Sequence, residues 1–184
     1  MNSLKGHLLV ATPDLMGPFF MRTVILMLEH NEEGALGVIL NRPTEATITD
    51  IAGQVFEGPF EWDKPILLGG PVPGPLVAIH PVEDLSDQQI FEGVFSTSEA
   101  FKVQQIIRRR TEPCLIVAHY AGWGPGQLEG EIDEDSWRST PAKIEHVFWE
   151  GDEDLWEVIR KQMGASELSQ ILRIKSVPSD PSLN

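Results

Sequence analysis

The sequence predicts an α+β fold: a mixed, mainly antiparallel sheet with flanking helices. Two observations carry this. Short apolar runs of strand length outnumber amphipathic helical stretches, and neighbouring runs are joined by brief polar turns rather than by regular helical crossovers. Parallel neighbours need a long crossover and antiparallel ones do not, so short connections favour antiparallel pairing. With 184 residues, 41% of them hydrophobic, the chain can bury a substantial core, and its length predicts one compact domain over residues 1–177.

Residues 6–11 form a first apolar run, stopped by Pro13. Residues 23–28 are apolar without alternation, the pattern of a strand covered on both faces. The polar turn 29–34 joins that strand to residues 35–40 as an antiparallel hairpin, which Asn41-Arg42-Pro43 ends. Helical periodicity starts at Thr47: Ile48, Ile51, Ala52, Val55 and Phe56 share one side, and Thr47-x-x-Asp50 resembles a capping box. Pro59 and Pro65 bound a loop. Residues 66–68 and 76–80 read as strands on either side of a Gly69-Gly70-Pro71 turn, and residues 90–95 as one further strand.

Ser98 is placed to cap a helix that buries Ala100, Val103, Ile106 and Ile107 and stops before Glu112-Pro113. Residues 114–118 are a buried strand leading into residues 119–129. There Gly122, Gly124, Pro125 and Gly126 predict a strand-to-helix corner, since glycine recurs where backbones bend or approach closely. Leu128 and Ile132 give the next short helix one apolar side. Trp137 and residues 144–149 add strand-like material. Asp152 opens a last helix burying Leu155, Trp156, Ile159 and Met163, with Gly164 as its C-terminal stop, and residues 178–184 read as a disordered tail.

The formal charge of −14, from 28 acidic against 14 basic residues, repels a phosphate backbone and argues against direct nucleic-acid binding. The basic run Arg108-Arg109-Arg110 falls at a helix C-terminus, where cations complement the macrodipole; a phosphate-contacting patch is the alternative. No stretch approaches the roughly 20 apolar residues that span a bilayer, and the N-terminus lacks the pattern of a secretory signal. The expectation is a cytoplasmic protein away from the membrane. The lone Cys114 agrees with a reducing compartment.

Several stretches occur together in one order: Phe20-x-Arg22-Thr23-Val24, Glu29-His30-Asn31, Gly34 through Pro43, Gly69-Gly70-Pro71-Val72 and Tyr120 through Glu129. In this the chain resembles the YqgE/AlgH family over about residues 4–165. The resemblance implies a compact α+β domain with a barrel-like mixed sheet, in a bacterial family without an established biochemical activity. One branch is labelled a transcriptional regulator of alginate production. Two departures stand out. Many relatives have a cysteine before the Glu-His pair where this chain has Leu28, and after Gly-Gly-Pro they commonly carry polar residues and an arginine where this chain has Val72-Pro73-Gly74-Pro75.

Catalytic chemistry is weakly signalled. Cys114 and His119 fall on opposite faces of a regular strand, which excludes a dyad, and Cys114 suits a core thiol. His7, His30, His80, His119 and His146 are scattered without metal-ligand spacing, so no metal or cofactor is assigned. The acidic run Glu129, Glu131, Asp133, Glu134 and Asp135 suits a solvated face, with a divalent-cation site as the alternative. The glycines before Gln127 could cradle an anion at a helix N-terminus or simply form a turn. Trp123 suits a packed anchor or, alternatively, a stacking platform.

The candidate ligand-binding residues are therefore Glu29, His30, Asn41, Arg42, His119, Tyr120, Trp123 and Gln127, polar and aromatic groups at strand ends that could line one rim. A structural alternative pairs Arg42 with Glu29 and uses Asn41 and His30 to satisfy turn backbone. No catalytic residue is assigned. The functional expectation is a non-enzymatic binding or regulatory protein whose partner is an unidentified protein or small molecule. The rival is a hydrolase or lyase using His30 or His119 as base and Arg42 for an anionic substrate.

Overall fold

The computed structural model describes residues 2–55 and 60–172. Phe56, Pro59, the side chains of Ala52 and Val55, and the 178–184 tail lie outside the described residues.

Strands assemble into two sheets. The first is antiparallel throughout and contains β1 (His7–Ala11), β2 (Val24–Asn31), β3 (Gly34–Ile39), β10 (Ala121–Trp123) and β11 (Trp137–Pro141), in the order β10-β3-β2-β1-β11. The second contains β4 (Pro43–Thr47), β5 (Pro65–Leu68), β6 (Val77–His80), β7 (Gln88–Phe91), β8 (Val94–Thr97) and β9 (Leu115–Ala118), ordered β4-β5-β9-β6-β8-β7. Its one parallel pair is β5 with β9, so the sheet is mixed. The α+β class stands.

The barrel-like sheet implied by the family resemblance does not. Among the described residues each sheet keeps two unpaired edges, β10 and β11 in the first, β4 and β7 in the second. The sheets meet at one corner, where Ile39 N–H donates to the Gly69 carbonyl at 2.9 Å and the chain crosses from β9 to β10 through His119, whose φ is +65°. Glycine allows that approach: a Cβ on Gly70 would lie 2.2 Å from the Tyr120 backbone. A barrel needs every edge paired, and joining one corner leaves a sandwich instead.

The two sheets pack inner face to inner face. Leu8, Val10, Val24, Leu26 and Val38 of the first meet Leu67, Ile79, Val94 and Val117 of the second. Outer faces are covered as well. Helix α3 (Gln127–Asp133) brings Leu128 onto Leu9, Ile25, Met27 and Ile39, while α1 (Ile48–Val55) and α2 (Ala100–Arg108) bring Ile48, Val103, Ile106 and Ile107 onto Ile66, Ala78 and Ile116. Strands covered on both sides cannot alternate, which accounts for the unbroken apolar run in β2. Helix α5 (Leu155–Leu172) adds Leu155, Trp156 and Ile159 to the inner core, and the Trp156 indole donates to the Ala11 carbonyl at 2.7 Å.

Several expectations need local correction. Residues 90–95 are a hairpin of β7 and β8, not one strand, and β9 inserts between β5 and β6. Residues 144–147 form a short helix, α4 (Ile144–Val147), rather than a strand. Ser98 does not cap α2, and Ala100 is exposed. Gly164 does not stop α5, which continues to Leu172. The 119–129 corner contains strand β10 before its helix.

Candidate functional site

A two-sheet sandwich has two ends, and a cavity opens at each. The larger, about 570 Å³, lies where β3 ends and β5 and β9 begin, under the 149–155 segment. The other, about 480 Å³, is a cleft at the opposite end, lined by Leu28, Glu29, Leu36 and Tyr120 from one side and Val77, Asp87, Gln88 and Ser96 from the other. Both volumes fall in the range of about 300–1,000 Å³ typical of ligand pockets.

The candidate residues divide between these ends. Asn41 and Arg42 line the larger cavity; Glu29 and Tyr120 line the cleft; His30, His119 and Gln127 line neither. Six residue steps along β2 separate Val24, whose carbonyl receives the Leu40 N–H, from His30, roughly 20 Å of extended chain. The common rim is thereby ruled out, and so is the pairing of His30 with Arg42 on one substrate.

In the larger cavity most polar side chains are already engaged, Asp152 being the exception among the described residues. Asn41 accepts from Val24 N–H at 3.0 Å and donates to the Arg22 carbonyl at 2.9 Å. Arg42 donates to the Met21 carbonyl, not to Glu29. Lys64 pairs with Glu112 at 2.7 Å, and Asp154 pairs with Arg22 at 2.9 Å while capping α5 through Trp156 N–H. The Gly151 backbone packs against the Trp149 indole, which donates to the Glu153 carbonyl.

A β-bulge decides what faces the cleft. The β2–β3 register shifts between Met27 and Glu29, so Leu28 and Glu29 both point inward, Glu29 opposite Leu36. His30, which strict alternation would have turned inward, opposes Ala35 on the outer face. There its Nδ1 accepts from Leu4 N–H at 2.9 Å, leaving Nε2–H to donate to Glu129 at 3.0 Å. With both ring nitrogens engaged, His30 has no lone pair for a base. The Glu129 carboxylate is held below the usual range, first by its own backbone N–H and, against burial, by His30.

Tyr120 is gripped by glycines. Its backbone exchanges two 3.0 Å hydrogen bonds with Val72, and Cβ atoms placed on Gly74 and Gly122 would lie 2.8 and 3.3 Å from its ring. The ring is thus fixed between the 72–75 turn and β10.

Two of the remaining candidates, Trp123 and Gln127, are tied into the fold. Trp123 is 6% exposed, packs edge-on to Trp137 at 6.1 Å, and donates its indole N–H to Glu131 at 2.9 Å. Trp137 donates to the same Glu131 oxygen at 2.8 Å, and Gln127 to its other oxygen at 2.9 Å. Gln127 Oε1 accepts from Gly124 N–H at 3.1 Å, filling the turn where an anion was considered. Glu129 and Glu131 are therefore fastening groups rather than a merely solvated face. His119 Nδ1 is buried without a hydrogen-bond partner. Cys114 is fully buried, and burial, partly opposed by Lys64 and reinforced by Glu112, pushes its thiol up to about 12. Among the described residues no group of three or more His, Cys, Asp or Glu is placed to hold a metal ion, and no helix is long and apolar enough to cross a membrane.

The sequence reading missed Asp87. Its carboxylate accepts from Thr97 hydroxyl and Ser98 N–H, both at 2.8 Å, and from Glu99 N–H at 3.3 Å, and it pairs with Lys102 at 2.8 Å. It caps α2 across the β7–β8 hairpin, and no local spacing signals that.

The comparisons with known proteins agree with this architecture. The AlgH-like family model matches residues 8–167. A UPF0301 protein of Streptomyces avermitilis is 35% identical over 195 residues, covering 100% of this chain and 96% of its own. The UPF0301 protein CT0663 of Chlorobaculum tepidum is 36% identical over 157 residues, covering 82% of each. Among solved structures, the AlgH protein of Pseudomonas aeruginosa superimposes with a TM-score of 0.71 at 27% identity over 97% of both chains. DIP2367 of Corynebacterium diphtheriae shares the fold, with a TM-score of 0.72 at 24% identity over 88% of each. The stretches that suggested a family from sequence are those that build the β2–β3 bulge, the Gly69-Gly70 corner and the Tyr120 grip, and the chain belongs to the bacterial YqgE/AlgH family.

Proposed function

We propose that this chain is a non-enzymatic binding protein whose ligand enters the 480 Å³ cleft between the sheets, at the Tyr120 end. One observation carries the reading. Around an apolar wall of Leu28, Leu36, Pro75 and Val77, the Glu29 carboxylate, the Tyr120 hydroxyl and the Ser96 hydroxyl make no hydrogen bond or ion pair with the described residues. Uncommitted polar groups on a preformed apolar surface are what orients a ligand. The larger cavity shows less of that feature: Asp152 alone among its described polar side chains is uncommitted, and the others hold the fold together.

The hydrolase or lyase reading finds less support: His119, one of its two candidate bases, has a buried Nδ1 without a hydrogen-bond partner but lines neither cavity. His30 is engaged at both nitrogens on the outer face, Arg42 lies at the far end of the sandwich, and Cys114 is an inert core thiol. Direct nucleic-acid contact is also outside this reading. The net charge is −14, and within the 108–110 run Arg110 is turned onto the Glu61 carbonyl and the Phe60 ring. A regulatory role consistent with the family label would pass through a bound ligand or protein.

The test is a thermal-shift screen of the protein against fractionated metabolite pools. A ligand at 100 times its Kd adds about 2.7 kcal/mol of stability. The melt should rise with at least one pool, and Val77→Phe, which fills the cleft, should abolish the rise. A rise unaffected by Val77→Phe places the ligand elsewhere; no rise with any pool removes the small-molecule reading.

A further inference from the structure

We propose that the cleft takes an organic cation, an ammonium group on a short apolar chain, held between the Glu29 carboxylate and the Tyr120 ring with the chain against Leu28, Leu36 and Val77. This rests on the cleft being the ligand seat. Among the described residues its lining includes two ionisable carboxylates, Glu29 and Asp87, and no lysine, arginine or histidine. Asp87 stays ionised: burial would raise its pKa, but Lys102, the Ser98 and Glu99 N–H groups and the Thr97 hydroxyl outweigh it and bring it to about 2. That carboxylate is held in place, whereas Glu29 is exposed and unpaired, its position set by the bulge.

Geometry places the two grips in one row. Glu29 opposes Leu36 on β3, and Leu36 opposes Gly122 on β10, against which the Tyr120 ring rests. Two inter-strand spacings separate the Glu29 and Gly122 backbones, about 10 Å. Glu29 and the ring thus face the cleft from the same side, flanking Leu36, and an ammonium group on the Glu29 carboxylate with its chain over Leu36 would meet the ring, whose quadrupole attracts a cation. The glycine grip fixes the ring in advance, so little ordering cost falls on binding. Lys102 already neutralises Asp87 at 2.8 Å and Lys5 docks on Gln88 at 3.1 Å, so Glu29 is the lining carboxylate left to meet a ligand cation. The net charge of −14 draws cations towards the surface.

Three probes of matched length separate charge from apolar contact: n-hexylamine, 1-hexanol and hexanoate, titrated into the full ¹⁵N-labelled chain. Hexylamine should bind saturably and shift the Glu29, Leu36 and Gly122 amides. Hexanol should bind at least about tenfold more weakly, a loss of about 1.4 kcal/mol, and hexanoate not at all. Glu29→Gln, at an exposed position, should keep the wild-type melt and weaken hexylamine by about tenfold, and Tyr120→Leu, which removes the ring, should also bind more weakly. Equal affinity for hexanol, preference for hexanoate, an unchanged Glu29→Gln or no hexylamine binding overturns the amine assignment. If hexylamine fails yet the metabolite-pool shift persists and vanishes in Val77→Phe, only the ligand class is wrong. If Val77→Phe leaves that shift intact, the seat is wrong as well.

Discussion

Replacing Asp87 tests whether one carboxylate fastens α2 to the second sheet. The carboxylate stands in for the missing side-chain cap at Glu99, accepting from Thr97, Ser98 and Glu99 and pairing with Lys102. Its pKa falls from 3.8 to about 2 on folding, with burial opposing the shift and Lys102 and the N–H donors driving it. At about 1.36 kcal/mol per unit, a shift of about 1.8 units corresponds to about 2.4 kcal/mol. The side chain is 34% exposed and its lysine partner 27%, so solvent screening reduces this to about 1.5 kcal/mol. Asp87→Asn, which keeps an acceptor and loses the charge, should cost that amount in urea unfolding followed by tryptophan fluorescence. Asp87→Ala should cost about 1 kcal/mol more, because the Thr97 hydroxyl, on a residue 1% exposed, is left unsatisfied. A depressed folded-state pKa stabilises above the unfolded value and ceases to do so as pH falls through the folded one. The gap between wild type and Asp87→Asn should therefore be flat at neutral pH and close between about pH 4 and pH 2. A gap below about 0.5 kcal/mol at neutral pH, or one that persists at about pH 2, refutes the reasoning.

Three further outcomes follow from the packing. Gly164 lies inside α5 with nothing within 4 Å of an added Cβ, so Gly164→Ala should stabilise by about 0.5–1 kcal/mol, read as a rise in Tm; a fall would return Gly164 to a helix end. Gly70→Ala drives a methyl to 2.2 Å of the Tyr120 carbonyl, so it should destabilise by at least about 2 kcal/mol in the same assay, and a neutral result would contradict the close corner between the sheets. Cys114, with its thiol near 12 and fully buried, should react with a thiol reagent at about pH 8 only after urea unfolding; rapid labelling of the native protein would contradict its burial.

Much of the element order is legible because it depends on neighbours in sequence. The unalternating run at 24–28 reports a strand covered on both faces, the 32–33 turn joins it to β3, and the Thr47 and Asp50 pair opens α1 with the Asp50 carboxylate accepting from Thr47 N–H at 2.7 Å. The apolar periodicity of α2 correctly names Val103, Ile106 and Ile107 as buried. Less legible are the features that depend on distant partners. Ser98 has the right spacing for a cap, but the hairpin delivers Asp87 to the same donors. Gly164 has the composition of a stop, yet α5 continues through it. Residues 144–149 are apolar enough for a strand, yet 144–147 curl into α4 instead, with His146 Nε2–H donating to Gln162 Oε1 at 2.9 Å.

The same division runs through the candidate site. Sequence alone determined that the glycines around Tyr120 mark a close backbone approach and that polar groups collect at strand ends, because both follow from local chemistry. It also carried the family, through stretches whose order is fixed along the chain. Only the tertiary structure decided which polar groups share a space. A one-residue bulge in β2 exchanges Glu29 for His30 on the inner face, and no pattern of residue types records it, since it is set by how β2 registers against β3. Likewise, two sheets joined at one corner leave cavities at opposite ends, separating Arg42 from Tyr120 although both close apolar strands in the sequence.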